Sequence, residues 1–272
     1  MSSLLKLPNN DKFTIQKITP LDANWKYVGF EVYDLHKGQK LKDKSNQREF
    51  CIVLLSGTAN FATSKNDFGI MTGRSNVFEK IPPIAMYVPK DEAWEILAKE
   101  NCEIAVCTAP SVKGNYSSRM IAHENMSQEV RGEGSNKRFI CNILPENKDA
   151  ESLLVVEVIT PSGNWSSYPP HKHDKDNLPF ESQLEETYYH RINPSQGYVM
   201  QRVYNDSKSL DENISAIDRS VVLVPEGYHP VGVPHGYESY YLNVMAGPKR
   251  IWKFYNDPDP VSYTHLTLPT KA

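Results

Sequence analysis

The residues best suited to chemistry in this sequence are histidines and glutamates in its second half. His171 and His173 are separated by one lysine in the run Pro-Pro-His-Lys-His. In an extended strand, residues i and i+2 point to the same side, so both imidazoles can face one point. A carboxylate follows at Glu185 or Glu186, and a third imidazole at His229. Three nitrogens and one oxygen form a ligand set for a divalent cation, so the pattern predicts a metal site.

The length and net charge of the chain limit the number of domains and the kinds of partner that we expect. The chain has 272 residues and a formal net charge of −3, enough length for one large domain or two small ones. Near-neutral charge gives no reason to expect nucleic acid or an anionic membrane as a partner. No apolar run approaches the roughly 18 residues needed to cross a bilayer, and we identify no signal peptide at the N-terminus.

Cysteine usage indicates the compartment. The four cysteines form no Cys-x-x-Cys pair and lie outside the histidine-rich region. This favours buried free thiols over disulfides or a thiolate metal site. We therefore expect a cytoplasmic protein. The thiols are those of Cys51, Cys102, Cys107 and Cys141.

The elements that must position the histidines are predicted to be strands. Helix-periodic segments are scarce, and short β-branched or alternating runs recur between turn residues. This pattern favours an all-β sandwich or barrel. The clearest runs lie at residues 30–33, 50–55, 153–158, 198–204, 221–224 and 240–244.

The chain divides into two units that repeat each other. We place a first unit at residues 1–108, a connector at 109–138 and a second unit at 139–260. Both units show the order strand, glycine turn, strand, proline-containing turn, which suggests an internal duplication with one degenerate copy. Residues 261–272 do not continue the strand pattern. We expect a non-native or disordered tail there.

The spacing of the candidate ligands resembles the metal signature of the cupin superfamily. After His171 and His173, Glu186 leads an aromatic strand that Gly197 closes, and residues 225–229 read Pro-Glu-Gly-Tyr-His. The loop before the glutamate is longer than is usual in cupins. The last histidine comes one residue earlier than in the common spacing.

With these departures, the sequence around the candidate ligands resembles the 5-deoxy-glucuronate isomerase family of myo-inositol catabolism. The resemblance covers about residues 10 to 260 and implies a bicupin, two double-stranded β-helix (jelly-roll) barrels. It further implies a degenerate first barrel and one divalent metal ion, zinc or manganese, in the second. The matching segments are residues 168–174, 184–189, 201–204, 224–230, 240–248 and 252–259.

The same resemblance selects among the candidate ligands. In the cupin pattern an aromatic residue two positions after the glutamate shares its face, as Tyr188 does after Glu186, while Glu185 points away. The pattern also favours His229 over His235, which sits in a Pro-His-Gly turn. The implied metal ligands are His171, His173, Glu186 and His229.

The family's reaction is an aldose–ketose isomerisation of 5-deoxy-D-glucuronate to 2-deoxy-5-keto-D-gluconate through an enediol or enediolate. Such a step needs a Lewis acid and a group that moves a proton. Our catalytic candidates are Tyr188 and Lys172, although Lys172, between two ligands, should point away from the metal. A hydroxide at the metal is the alternative base.

Three residues are candidates for substrate contact. Arg202 offers a planar fork to the substrate carboxylate. Strand alternation puts it on one face with Met200 and Tyr204, which we take as the barrel interior; a structural salt bridge is the alternative. Tyr241 and Asn243 share a face of their strand and can bind sugar hydroxyls.

Other functions stay open at this point. They are a related 4-deoxy-5-ketouronate isomerase, a metal-dependent cupin dioxygenase and a sugar-binding cupin without turnover. The expected partner is a small uronate, with neither nucleic acid nor a membrane, and a homo-oligomer is left open.

Overall fold

Strands dominate the computed structural model, which describes residues 2–9 and 13–259. Helices in that part of the chain are short: α1 spans Pro20–Ala23, and 3-10 turns span His123–Asn125 and Gly134–Asn136. None of them is long and apolar enough to cross a membrane. The predicted all-β class is confirmed. The tail predicted at 261–272 lies outside the described residues.

The first half of the chain forms a barrel of two packed sheets. A six-stranded sheet has the order β11-β8-β5-β10-β3-β2, and a four-stranded sheet has the order β4-β9-β6-β7. The strands are β1 Leu5–Lys6, β2 Thr14–Ile18, β3 Gly29–Leu35, β4 Lys40–Lys44, β5 Arg48–Ser56, β6 Thr58–Thr63, β7 Asp67–Thr72, β8 Ile84–Val88, β9 Ala93–Ala98, β10 Cys102–Pro110 and β11 Arg119–Ile121.

The second half forms a barrel of the same kind. Its strands are β12 Ser127–Arg131, β13 Arg138–Leu144, β14 Leu154–Thr160, β15 Trp165–Ser166, β16 His171–Lys172, β17 Asp174–Asn177, β18 Glu181–Gln183, β19 Glu185–Asn193, β20 Tyr198–Tyr204, β21 Asp211–Ile217, β22 Val221–Val224, β23 Val231–Gly232, β24 Glu238–Ala246 and β25 Tyr255–Asn256. The larger sheet runs β1-β22-β19-β24-β14-β13-β12 and the smaller runs β15-β23-β20-β21, while β16 pairs with β25 and β17 with β18.

The two halves exchange an edge strand. The strand orders β8-β5-β10-β3-β2 and β22-β19-β24-β14-β13 correspond strand for strand, as expected of a duplication. The short β1, which precedes the first half, pairs with β22 of the second. Reciprocally, β11 precedes the second half and pairs with β8 of the first. Residues 109–138, where we predicted a connector, therefore supply one strand to the six-stranded sheet of the first half and one to the larger sheet of the second half.

The interiors of the two barrels differ. In the first, the side chains between the sheets are apolar, with Phe61, Ile52 and Ile96 fully buried. Burying one such side chain stabilises the fold by about 1.5–3 kcal/mol. In the second barrel, the inward face of β19 carries Glu186 and His190 among its buried residues. The buried polar side chains that could carry chemistry therefore lie inside the second barrel.

Carboxylates that are buried or half-buried fasten the two halves together. Glu49 of β5 accepts hydrogen bonds from the backbone N–H groups of residues 151–153, at 2.6–2.8 Å. Glu185 of β19 accepts reciprocally from residues 26–28, at 2.8–2.9 Å. Between them, Arg74 donates two hydrogen bonds to Glu157, at 2.9 and 2.7 Å. Each contact ties a residue of one half to the other half, which fixes the orientation of β19.

The Arg74–Glu157 pair generates a stability prediction. Arg74→Met leaves a buried carboxylate without its cation, and removing one partner of such a pair costs about 3–5 kcal/mol. We expect the free energy of unfolding, measured in urea, to fall by that amount. Arg202→Met is the control, because Arg202 pairs with Asp211 at the surface and surface pairs contribute little. Equal losses in both variants would contradict the prediction.

Candidate metal centre

Four side chains from separate elements converge inside the second barrel. His171 lies on β16, His173 directly follows it, Glu186 lies on β19, and His229 lies between β22 and β23. The nearest ligand atoms of the three histidines all lie within 4.8 Å of one another. The Glu186 Oε2 atom is 3.1 Å from His173 Nε2 and 3.2 Å from His229 Nε2. His171 is half-buried and the other three are buried, so the cluster opens on the side of His171.

Backbone carbonyls orient all three imidazoles in the same way. Each ring turns Nδ1 toward a carbonyl oxygen, which can only accept a hydrogen bond, so Nδ1 carries the proton and Nε2 the lone pair. Such a partner for the outer ring nitrogen is usual for histidines that bind metals. The Nδ1 distances are 3.3 Å from His171 to Pro169, 3.2 Å from His173 to Leu184 and 2.8 Å from His229 to Gly227.

The cluster has the chemistry of a cation site. With Nδ1 as the donor, the Nε2 lone pairs of His173 and His229 face a carboxylate that can only accept. His229 Nε2 is buried and has no hydrogen-bond partner. Because lone pairs and a carboxylate repel one another in a buried site, a positive charge between them is required. The three nitrogens and one oxygen therefore fit a divalent cation.

The protonation states agree with this arrangement. Burial raises the pKa of Glu186, but the contacts with His173 and His229 outweigh burial and lower the pKa to about 2. Without a cation, a proton on the Nε2 atom of His173 supplies the positive charge between that imidazole and the carboxylate. The carboxylate is thus ionised at neutral pH. Burial lowers the pKa of His171 well below its usual value, and the two neighbouring histidines lower it further. His171 is therefore neutral, as a metal ligand must be.

Strand alternation separates the two glutamates. Glu186 and Tyr188 point into the second barrel, where both are buried. Glu185 points to the other side of β19 and binds the backbone of residues 26–28. His235 is exposed, whereas His229 is buried. The structure thus brings together the four residues that the resemblance implies.

A hydroxyl cluster borders the metal centre. Ser167 Oγ lies 2.9 Å from the Tyr188 hydroxyl and 3.5 Å from the Tyr241 hydroxyl. Asn243 is buried on the same face as Tyr241 and donates to the Thr187 carbonyl at 3.3 Å. Burial, with the charge of Glu186, raises the pKa of Tyr188 well above 10, so its hydroxyl keeps its proton.

Sequence reasoning missed Ser167 and Gln201. Ser167 has a φ of 49°, in the left-handed region, and no local pattern marks it as part of the site. Gln201 is buried and lies 2.9 Å from His190 Nε2, inside the barrel. If we had taken the opposite face of β20 as the inward one, we would have identified Gln201.

The prediction that Met200, Arg202 and Tyr204 face the barrel interior is wrong. Met200 is exposed, whereas Gln201 is buried on the opposite face of β20. The Arg202 guanidinium donates two hydrogen bonds to Asp211, each 2.7 Å long. The structural salt bridge that we gave as the alternative is therefore the arrangement observed, and Arg202 lies outside the barrel wall.

Lys172 lies on the side of β16 opposite the two histidines, because neighbouring residues of a strand alternate. It is buried, and its Nζ atom donates to Asp174 at 2.9 Å and to Glu181 at 3.1 and 3.2 Å. The predicted outward orientation is observed. The catalytic role we considered for Lys172 has no support in this geometry, because the ammonium group is held away from the metal centre.

The C-terminal segment covers part of the site. Strand β25 pairs with β16, with Asn256 opposite His171. The Phe254 ring packs against the His171 ring at a centroid distance of 4.7 Å, and Asp257 N donates to Pro170 O at 2.8 Å. These contacts form one wall beside the half-buried histidine.

Comparison with known proteins identifies the family. The model of the KduI/IolB family matches residues 4–262. A 5-deoxy-glucuronate isomerase of Geobacillus kaustophilus is 54% identical over 92% of this chain and 90% of its own length. That of Bacillus subtilis strain 168 is 48% identical, over 95% and 97%. The chain therefore belongs to the KduI/IolB family, and the resemblance seen in its motifs is confirmed.

Solved structures agree on the fold. An IolB-like protein from Salmonella typhimurium LT2 superposes with a TM-score of 0.94, at 43% identity, over 97% of this chain and all of that one. An oxalate decarboxylase of Lactobacillus farciminis superposes at 0.64, with 12% identity, over 99% and 91%; at that identity it shows the fold alone. The predicted bicupin fold is confirmed.

The two glutamates provide a direct test of the metal centre. We expect Glu186→Gln to lower the affinity for Mn²⁺ or Zn²⁺ by more than about 10-fold, because even an outer partner of a ligand contributes that much. Glu185→Gln is the matched control and should keep the metal content, since its side chain binds backbone in the other half. Metal analysis after dialysis measures both. Loss of metal in Glu185→Gln with retention in Glu186→Gln would reverse the assignment.

Proposed function

We propose that this chain is a metal-dependent aldose–ketose isomerase that converts 5-deoxy-D-glucuronate to 2-deoxy-5-keto-D-gluconate. The observation that carries the proposal is the shared activity of relatives that match this chain along nearly its whole length. The converging Nε2 atoms and Glu186 supply the cation site that such chemistry uses. The reaction belongs to myo-inositol catabolism.

The reaction moves one proton between neighbouring carbons. A proton leaves the hydroxyl-bearing carbon beside the aldehyde, and a proton is delivered to the former aldehyde carbon. The hydroxyl proton passes to the other oxygen, so that neither oxidant nor reductant is consumed. A zinc or manganese ion held by His171, His173, Glu186 and His229 would supply Lewis-acid polarisation of the carbonyl.

The hydroxyl cluster acts on the substrate oxygens. Because Tyr188 keeps its proton, it serves as a hydrogen-bond donor and acid rather than as a base. Ser167, 2.9 Å away, orients the Tyr188 hydroxyl. Tyr241 and Asn243 lie on the same inward face and bind the sugar hydroxyls. These assignments place the reacting carbons between the metal centre and the two tyrosines.

The free thiols support the cytoplasmic location that we propose. All four cysteines are free and buried, as is usual for proteins of a reducing compartment. We therefore place the isomerase in the cytoplasm, with a small uronate as its partner.

The role of Tyr188 predicts a kinetic effect. Tyr188→Phe removes the acid, and general acid–base catalysis contributes at least about 100-fold, so kcat should fall by that factor with a smaller change in KM. Tyr189→Phe is the matched control, because Tyr189 points away and donates to Glu103 at 2.8 Å. Steady-state kinetics on metal-loaded protein measure both. A kcat unchanged in Tyr188→Phe would exclude this role.

The function itself is tested with the substrate in D₂O. We expect metal-loaded protein to form the ketose with deuterium at the carbon that receives the proton. A chelator should abolish turnover, and added Zn²⁺ or Mn²⁺ should restore it. Absence of both exchange and product would contradict the proposal.

Further measurements on the metal-loaded protein separate the alternative functions. Faster turnover of a 4-deoxy-5-ketouronate would assign the related isomerase activity. Oxygen uptake with either substrate would indicate a dioxygenase. Uronate binding without turnover in the metal-loaded protein would indicate a sugar-binding cupin.

A further inference from the structure

Lys172 is an unusual residue to find buried, and the metal centre does not use it. Its side chain is surrounded by the carboxylates of Asp174, Glu181 and Asp206, the last at 3.6 Å. It lies between His171 and His173 in the chain. We propose that Lys172 is a positioning residue, which together with Asp174 sets the place of His229 relative to the other two histidines. This inference rests on the metal centre of the proposed function.

Lys172 first organises its own segment of the chain. Glu181 of β18 accepts from the Lys172 ammonium and from the backbone N–H groups of Asp174 and Lys175, the latter two at 2.8 and 3.1 Å. The ammonium thus neutralises a carboxylate that closes the β17–β18 hairpin over β16. This hairpin leads directly to β19, which carries Glu186. The segment that contains His171 and His173 and the strand that contains Glu186 are therefore tied together on the side of β16 away from the metal centre.

Asp174 then connects this segment to the loop of His229. One of its carboxylate oxygens accepts from Lys172, and the other accepts from Gly227 N at 2.8 Å. The Gly227 carbonyl in turn accepts from His229 Nδ1 at 2.8 Å. A continuous chain of hydrogen bonds thus runs from the Lys172 ammonium to the His229 imidazole, whose Nε2 atom points at Glu186.

The loop that carries His229 is closely packed at Gly227. Gly227 has a φ of +87°, and a β-carbon there would lie 2.4 Å from the Tyr204 carbonyl oxygen. Tyr228 N donates to that same carbonyl at 2.7 Å. The loop is therefore packed against β20, and the hydrogen bond that Gly227 N donates to Asp174 fixes its position along the strand. Fixing a metal ligand in advance raises metal affinity, because the site does not have to be ordered on binding.

Metal affinity tests the proposal separately from catalysis. Lys172→Met removes the ammonium, and Asp174→Asn keeps the volume but loses one of the two acceptor oxygens. Lys175→Met is the matched control, because Lys175 is a neighbouring lysine whose ion pair with Asp206 lies at the surface. Co²⁺ is the probe, with its affinity measured by chelator competition and its ligand field by the visible spectrum of the loaded protein.

We expect Lys172→Met and Asp174→Asn to bind Co²⁺ about 10–100-fold more weakly, the usual effect of losing a partner that orients a ligand. Their spectra should change, because His229 is displaced, whereas Lys175→Met should match the wild type in both measurements. A purely stabilising ion pair would lower the unfolding midpoint without altering the spectrum of the folded protein.

The contrary outcomes are distinct. Wild-type affinity and spectrum in folded Lys172→Met and Asp174→Asn would overturn the positioning role and leave the isomerase proposal intact. Should Lys172→Met fail to fold, Asp174→Asn decides alone, because there Lys172 keeps its pairing with Glu181. A wild-type protein that binds no Co²⁺, Zn²⁺ or Mn²⁺ would overturn the metal centre and this inference together.

Discussion

The structure depends on one electrostatic constraint: the ionised Glu186 faces the Nε2 atoms of His173 and His229 in a buried space, so positive charge must lie between them. Glu186 is ionised because His173 and His229 lower its pKa to about 2 in spite of burial. The imidazoles cannot turn around to relieve the repulsion, because backbone carbonyls hold their Nδ1 protons. A cation resolves the conflict, and the surrounding strands keep the four groups in place until one binds. A cation held in such a preorganised shell would stabilise developing negative charge without reorganisation of the site.

Strand β19 shows how one element serves both the site and the fold. Its inward residues include Glu186 and Tyr188, whereas its outward residues contact the other half of the molecule. Glu185 binds the backbone of residues 26–28, and Tyr189 packs on Phe30 with a centroid distance of 5.8 Å. A side chain period of two separates these tasks cleanly. Any slip of this strand by one residue would exchange metal ligand and interface, so the interface contacts specify the register on which the site depends.

The local pattern was sufficient to predict which four residues converge in the second barrel, but not their surroundings. His171 and His173 follow from their i, i+2 spacing, and Glu186 follows from alternation together with the family resemblance. The face of Arg202 was predicted wrongly, because the orientation of β20 is set by pairing with β21, the next strand along the chain, and with β23, which lies further away in sequence. The exchanged edge strands β1 and β11 were missed for the same reason. Non-local pairing carries this information, and a single sequence shows only the period of each strand.

The two barrels divide the work of stability and chemistry. Polar side chains inside a barrel are destabilising unless they are paired, and the second barrel keeps buried atoms such as His190 Nδ1 without a hydrogen-bond partner. The first barrel has an apolar interior and is fastened to the second through Glu49, Arg74 and Glu185. Because these contacts hold strands of the second barrel from outside, its inner face is free to carry residues chosen for chemistry. The first barrel therefore supports the site from outside: without it, the outward face of β19 would lose its contacts with residues 26–28 and with Phe30.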